Sequence, residues 1–153
     1  MYSNKLIIDI LNYLKEKDYN DINIDDISKE LHYEKTYIMK KFKKELGITI
    51  IELINTIKIE RSLNFYNDNN SILKISILSN FNSLEYYSEI FKKVMHVSPN
   101  TYKKLVTKPY TVKEKEYDNI INALVSITNL KKKIQNYLNN KKPKGIKKLT
   151  IWQ

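Results

Sequence analysis

The sequence predicts an all-α protein built from two repeated helical pairs, a long linker helix between them and a C-terminal amphipathic helix. Apolar residues recur at steps of three and four along nearly the whole chain, and no stretch alternates like a half-buried strand. The 153 residues include only 2 glycines and 3 prolines, too few for the turns of a sandwich or barrel. A helical pair in the first half also recurs in the second half.

Capping signals place the elements in order. Asn23 is a predicted N-cap, and Gly47 suits the left-handed position after a helix. Thr49 begins a T-x-x-E capping box that opens the linker helix, while Ser98 and Pro99 suit the N-cap and first position of a later helix. The predicted helices cover about residues 4–17, 24–31, 34–46, 49–66, 72–79, 83–95, 100–105 and 112–140.

The repeat defines the motif. Residues 37–50 align with residues 86–99, so that a tyrosine, a phenylalanine and a Lys-Lys pair match in each copy. The short helices before them also match, with Ile24 over Ile72 and Ile27 over Ile75. Each half therefore consists of a short helix, a tight turn and a longer helix, which is a helix-turn-helix.

Composition limits the chemistry. The chain has 27 basic and 17 acidic residues, a net charge of +10, which favours a partner with negative charge. Part of the lysine excess is also expected from the codon bias of an AT-rich genome. Cysteine is absent and His32 and His96 are the only histidines, so neither a thiol nucleophile nor a Cys- or His-rich metal site can form. We expect no enzyme, no cofactor, no metal and no membrane span.

The longer helix of each pair carries the candidate site. On a helical wheel, Ile38 and Phe42 define the buried stripe of the first, and Tyr87 and Phe91 that of the second. The opposite, polar and basic faces suit the major groove of double-stranded DNA, although any amphipathic helix of a small bundle also exposes a polar face. The candidate DNA-binding residues are Thr36, Tyr37, Met39, Lys40, Lys43, Lys44, Glu85, Tyr86, Ser88, Glu89, Lys92 and Lys93.

The linker and the arginine content suggest the kind of site. A helix over 49–66 would be about 27 Å long, enough to hold two recognition helices about one DNA turn apart on a bipartite site. Arg61, the only arginine, lies in the linker. Bidentate guanine readout by arginine from either recognition helix is therefore excluded, which predicts an AT-leaning site.

Residues 7–104 resemble the DNA-binding domain of the AraC/XylS transcription regulators. The matching strings are ISKEL at 27–31, YIMKKFKKELGIT at 37–49, YYSEIFKK at 86–93 and VSPNTY at 97–102. The resemblance implies two helix-turn-helix units on a linker helix, and a cytoplasmic, nucleoid-associated bacterial regulator. It also implies a monomer or dimer that commonly activates transcription and contacts RNA polymerase. We expect no separate effector-sensing domain.

Departures from the family pattern affect the second unit most. Asn80 and His96 replace frequent glycines, and Asn tolerates the left-handed backbone of a turn. Glu89 stands where the family often has arginine facing DNA, and Glu85 shares its face. Glu85 has an alternative role as the N3 partner of an Asn82 cap. We expect the first unit to carry most of the affinity. The alternative is an interaction adaptor with weak base readout.

The C-terminal part is predicted as a separate segment: residues 1–108 form the DNA-binding domain, and residues 109–153 form a helical extension with a basic tail. An apolar stripe runs along 117–138, so this helix folds back on the domain, forms a homodimer through the region 112–140 or docks on a partner. A membrane-surface helix is a further alternative, but Trp152 lies outside the stripe and we expect no membrane partner. The tail either contacts phosphates or is solvated. Its lysines are Lys141, Lys142, Lys144, Lys147 and Lys148.

Overall fold

A computed structural model describes residues 2–17 and 23–141, and every regular element within them is helical. The all-α prediction is confirmed. The α-helices are α1 Tyr2–Glu16, α2 Ile24–Leu31, α3 Lys35–Leu46, α4 Ile50–Ser62, α5 Ile72–Leu78, α6 Leu84–Met95, α7 Pro99–Thr107 and α8 Glu114–Lys141. Two 3₁₀ turns, Leu63–Phe65 and Pro109–Thr111, follow α4 and α7.

The predicted caps hold most of the helix ends. The Asn23 side chain accepts a hydrogen bond from the Asp26 amide at 2.9 Å, and α3 ends at Gly47 with φ 73°. Thr49 Oγ1 accepts from the Glu52 amide at 3.0 Å. Ser98 caps α7, with Pro99 at its start. These four predictions are confirmed, because the three polar side chains satisfy amides that the first helical turn leaves unpaired, and Gly47 adopts the left-handed backbone of a helix end.

Two boundary predictions are wrong. The linker helix stops at Ser62 rather than near residue 66, and its 13 residues extend about 20 Å. Ser62 Oγ donates to the Ile59 carbonyl at 2.6 Å, and the chain then tightens into a 3₁₀ turn whose Phe65 carbonyl accepts from Asn70. The N-cap of α6 is Ser83, which accepts from the Tyr86 amide, so the proposed cap one residue earlier does not form.

Within residues 2–17 and 23–141, three residues other than glycine adopt left-handed backbone: His32, Asn80 and His96, with φ of 61°, 55° and 64°. Asn80 and His96 therefore adopt the left-handed conformation of the glycines that are frequent at these positions in the family, as the sequence predicts. Nothing in the sequence singled out His32 as a helix end. Each such position costs a residue with a Cβ about 1–2 kcal/mol.

The helices form two compact units. The first contains the described residues up to Ile54 and the end of α8 from Leu130. Helices α1, α2 and α3 contact one another in it. Its buried apolar side chains are Leu6, Ile7, Ile10, Leu11, Leu14, Ile24, Ile27, Ile38, Phe42, Leu46, Ile50, Leu53, Ile54, Ile134 and Leu138.

The second unit, Asn55–Asn129, has an aromatic core. Tyr87 and Phe91 of α6 meet Tyr66 and Phe81, with neighbouring ring centroids between 5.1 and 5.7 Å apart. The core contains Ile59, Tyr66, Ile75, Phe81, Tyr87, Phe91, Met95, Val97, Ile120 and Ile127. The repeated phenylalanine, Phe91, therefore serves packing in this unit, whereas the repeated tyrosine, Tyr86, is exposed.

A chain of hydroxyl groups crosses this core. Tyr66 OH lies 2.7 Å from Tyr87 OH, which lies 2.9 Å from Ser62 Oγ. Since the Ser62 hydroxyl donates to the Ile59 carbonyl, Tyr87 donates to Ser62 and Tyr66 donates to Tyr87. Burial raises the pKa of both Tyr66 and Tyr87, so both hydroxyls stay protonated and keep this order.

Helix α8 packs back on the chain. Ile120 and Ile127 belong to the core of the second unit, and Ile134 and Leu138 are buried in the first. Of the alternatives for this helix, folding back on its own chain is therefore the one that buries its main apolar stripe. Lys142, Lys144, Lys147 and Lys148 lie outside the described residues. Among residues 2–17 and 23–141, no helix has the length and apolar character needed to span a membrane.

Candidate nucleic-acid interface

The first recognition helix, α3, presents one polar face. Ile38, Phe42 and Leu46 are buried, and this fixes the rotation of the helix. Met39 is half-buried at the edge, which favours packing over base contact for its thioether. The remaining candidate residues of this helix are exposed together on the opposite side: Thr36, Tyr37, Lys40, Lys43 and Lys44.

This face has an uncompensated positive charge. Among the described residues, no carboxylate lies within salt-bridge distance of Lys40, Lys43 or Lys44. The nearby ion pair, Lys35 with Asp25 at 3.4 Å, lies at the helix start. Three exposed lysines on two successive turns suit a row of phosphates, because no described carboxylate competes with a phosphate for them.

An aromatic pair stands at the start of α3. The rings of Tyr33 and Tyr37 stack with centroids 5.7 Å apart and planes 13° apart, and both are exposed. Ser28 Oγ donates to the Tyr33 carbonyl, and Lys41 Nζ lies 5.7 Å from the Tyr37 ring centroid. Sequence reasoning named Tyr37 but missed Tyr33. Tyr33 precedes the first residue of α3 and lies outside any regular element, so helical periodicity gives no signal for its stacking on Tyr37.

The second recognition helix, α6, has the same design with a different charge. Tyr87, Phe91 and Met95 are buried. Ser88 is half-buried, and the other candidates share the exposed side: Glu85, Tyr86, Glu89, Lys92 and Lys93. Glu89 Oε1 lies 3.6 Å from Lys93 Nζ. Two carboxylates therefore offset two ammonium groups, and the face has no net charge.

Tyr86 is held from both sides within the second unit. Asn55 Nδ2 donates to Tyr86 OH at 3.1 Å, and the Phe81 ring lies 5.9 Å from the Tyr86 ring. Lys58 Nζ lies 4.3 Å from the Phe81 ring centroid and donates to the Asn80 carbonyl at 2.7 Å, and burial lowers its pKa. The Tyr86 ring is thus exposed in a fixed orientation, with one hydroxyl lone pair already used.

Within the part of the chain that the structure describes, no group of three His, Cys, Asp or Glu residues could hold a metal ion.

The candidate DNA-binding residues form two sets, one on α3 and one on α6, each in its own compact unit. Polar and basic side chains on an exposed helix can contact phosphates and base edges in a major groove.

About two thirds of the chain is similar in sequence to curated bacterial proteins. An uncharacterized response regulatory protein of Staphylococcus epidermidis is 27% identical over 104 residues, 68% of this chain and 41% of that protein. The transcriptional regulatory protein HptR of Staphylococcus aureus is 25% identical over 101 residues, 66% of this chain and 40% of HptR. The chain thus spans about two fifths of the length of these relatives.

Solved structures share the fold. The C-terminal domain of AraT, a response regulator from Geobacillus stearothermophilus, matches with a TM-score of 0.57 and 23% identity, covering 71% of this chain and 92% of that domain. The xylose-binding transcription activator XylR matches with a TM-score of 0.50 and 25% identity over 68% of this chain and 28% of XylR. A family model described as a helix-turn-helix domain matches residues 27–105. The chain belongs to this family, the AraC-type helix-turn-helix DNA-binding domains.

Proposed function

We propose that this protein is a sequence-specific regulator of transcription that activates from a bipartite, AT-leaning site in double-stranded DNA. The observation that carries the proposal is the face of α3, where polar and basic side chains are exposed together over a buried apolar stripe. Thr36, Tyr37 and Lys40 lie near the start of α3, the part of a recognition helix that reaches base edges. Lys43 and Lys44 follow one turn later and contact phosphates.

The two units contribute unequally. Three lysines face outward from α3, whereas the face of α6 has no net charge. Carboxylates near phosphates are repelled, although Glu85 or Glu89 can accept a hydrogen bond from the N4 amino group of cytosine. We therefore expect α3 to supply most of the affinity, and α6 to add weaker, orientation-dependent readout through the fixed Tyr86 ring.

The preference for AT-rich DNA follows from the donors available. The sequence has one arginine, Arg61, and it lies on α4 rather than on α3 or α6. Arginine is the side chain that most often reads guanine with two hydrogen bonds. Readout then depends on threonine, whose methyl group can contact that of thymine, on tyrosine, and on lysine, which lacks the planar fork by which arginine reads guanine.

The proposal includes protein partners. RNA polymerase is the partner of an activator, and a second copy of the chain would double the recognition surface. The division into a DNA-binding domain over 1–108 and an extension over 109–153 remains a prediction.

A double variant tests the function. Thr36→Ala with Lys40→Ala removes a candidate base contact and a candidate cation from the α3 face without touching a buried residue. The matched control, Lys15→Ala, removes one exposed lysine from α1. We expect the double variant to lose at least about tenfold in affinity for its selected duplex, and the control to bind like wild type. Equal binding by all three proteins would contradict base reading by α3 and favour the adaptor function.

A further inference from the structure

One side of α8 keeps apolar side chains in contact with solvent. Ile121 is 55% exposed, Leu124 41% and Val125 52%. Thr128 is exposed one turn further along and adds a methyl group. These positions follow at steps of three and four, so they form a stripe beside the buried face of the helix. We call this stripe, made of Ile121, Leu124, Val125 and Thr128, the α8 side face.

The rest of the exposed surface in this part of α8 is polar. Asn122, Ser126 and Asn129 are exposed on the other side of the helix. The apolar exposure is therefore concentrated on one side rather than scattered. Contiguous exposed apolar groups are typical of an interaction surface, because burying them against a partner is favourable.

Charges at the two ends of the stripe identify the partner. Glu114 and Asp118 precede it on the same side of α8, and Lys132 follows it. If two identical helices pair antiparallel, the acidic end of each meets the basic end of the other. A twofold axis between Leu124 and Val125 brings Lys132 of one copy within one residue's rise, about 1.5 Å along the axis, of Asp118 in its partner.

We propose that two copies of the chain pair through their α8 side faces, antiparallel, with the twofold axis between Leu124 and Val125. Such an interface is isologous, since the same patch serves both copies and the charges match themselves. The pairing uses a different side of α8 from the stripe that contains Ile120 and Ile127, which is buried in the core of its own chain. The inference makes the proposed second copy specific, and it does not depend on base reading.

Sedimentation analysis of the full chain without DNA tests the pairing. Measured from about 1 to about 100 μM, the wild type should shift from monomer to dimer. Leu124→Asp with Val125→Asp should weaken the dimer at least about tenfold, because four carboxylates would meet at the twofold axis. The matched control, Asn122→Asp with Ser126→Asp, adds the same charge on the polar side and should dimerise like wild type. All replaced residues are exposed, and circular dichroism verifies that each variant folds.

A charge exchange tests the antiparallel arrangement. Asp118→Lys alone and Lys132→Asp alone should each weaken the dimer, and the chain with both changes should recover it. A wild type that stays monomeric at every concentration would overturn the proposal and assign the side face to a different protein. A dimer insensitive to the two aspartates would overturn the choice of face. Failure of the double exchange to recover dimerisation would overturn the antiparallel order. Because DNA is absent, none of these results depends on the proposed function.

Discussion

The difference in charge between the two recognition helices predicts different responses to salt. Lys44 of α3 and Lys93 of α6 occupy equivalent positions of the repeat. Lys93 Nζ lies 3.6 Å from Glu89, whereas no described carboxylate lies within salt-bridge distance of Lys44. Each lysine that neutralises a phosphate contributes about 0.9 to the slope of log affinity against log salt concentration. Lys44→Gln should therefore make this negative slope shallower by about 0.9, and Lys93→Gln should make it shallower by less than half as much.

The size of the effect is measurable. A slope change of about 0.9 corresponds to a difference of roughly threefold in affinity between about 50 and 200 mM salt. Fluorescence anisotropy of a labelled duplex across that range gives the slope for each variant. Glu89→Gln is the reciprocal control, since it leaves Lys93 without its counter-charge and should make the slope steeper. Equal slope changes for Lys44→Gln and Lys93→Gln would show that the carboxylates do not weaken phosphate binding by the second unit.

Three further predictions concern the fold. Tyr87→Phe should lower the free energy of unfolding in urea by about 1–3 kcal/mol, because it interrupts the hydrogen bonds among the buried hydroxyl groups. An unchanged urea midpoint would show that these hydrogen bonds contribute nothing to stability. His96→Gly should stabilise the protein by about 0.5–1 kcal/mol and Gly47→Ala should destabilise it by about 1 kcal/mol, since both positions are left-handed, and thermal unfolding distinguishes the signs. A hydrogen bond from the Lys113 amide lowers the pKa of Glu116, so its stabilising effect is present above the ordinary value of 4.5 and is lost as pH falls through the lowered pKa. Thermal unfolding of Glu116→Gln should show a weaker acid dependence than wild type, and identical acid limbs would contradict this.

Local signals in the sequence were enough to predict most of the architecture. Each helix cap acts within one helical turn, so its effect depends only on neighbours a few residues away. This holds for the N-caps Asn23, Thr49 and Ser98 and for Gly47 at the end of α3. The buried stripes of α3 and α6 follow from helical periodicity in the same way. These features require no knowledge of distant contacts.

The features that sequence reasoning missed depend on tertiary contacts. The linker ends early because Ser62 bonds the Ile59 carbonyl and Tyr87, which is far away in sequence. The hold of Asn55 on Tyr86 joins residues on different helices. The sequence pattern predicts one apolar stripe on α8, although Ile121 is exposed beside a buried face. Periodicity gives the angular position of each side chain on its helix but not what covers it.

Selection from a pool of random duplexes at near-physiological salt, followed by sequencing, shows directly whether α3 and α6 read bases. We expect a strongly enriched block read by α3 and a weaker block about one helical turn, roughly 10 base pairs, away. Guanine should not dominate either block, because neither α3 nor α6 has an arginine to read it. An unenriched pool, together with binding that disappears as salt rises, would contradict base reading and reduce the lysines of α3 to a nonspecific attraction for phosphates.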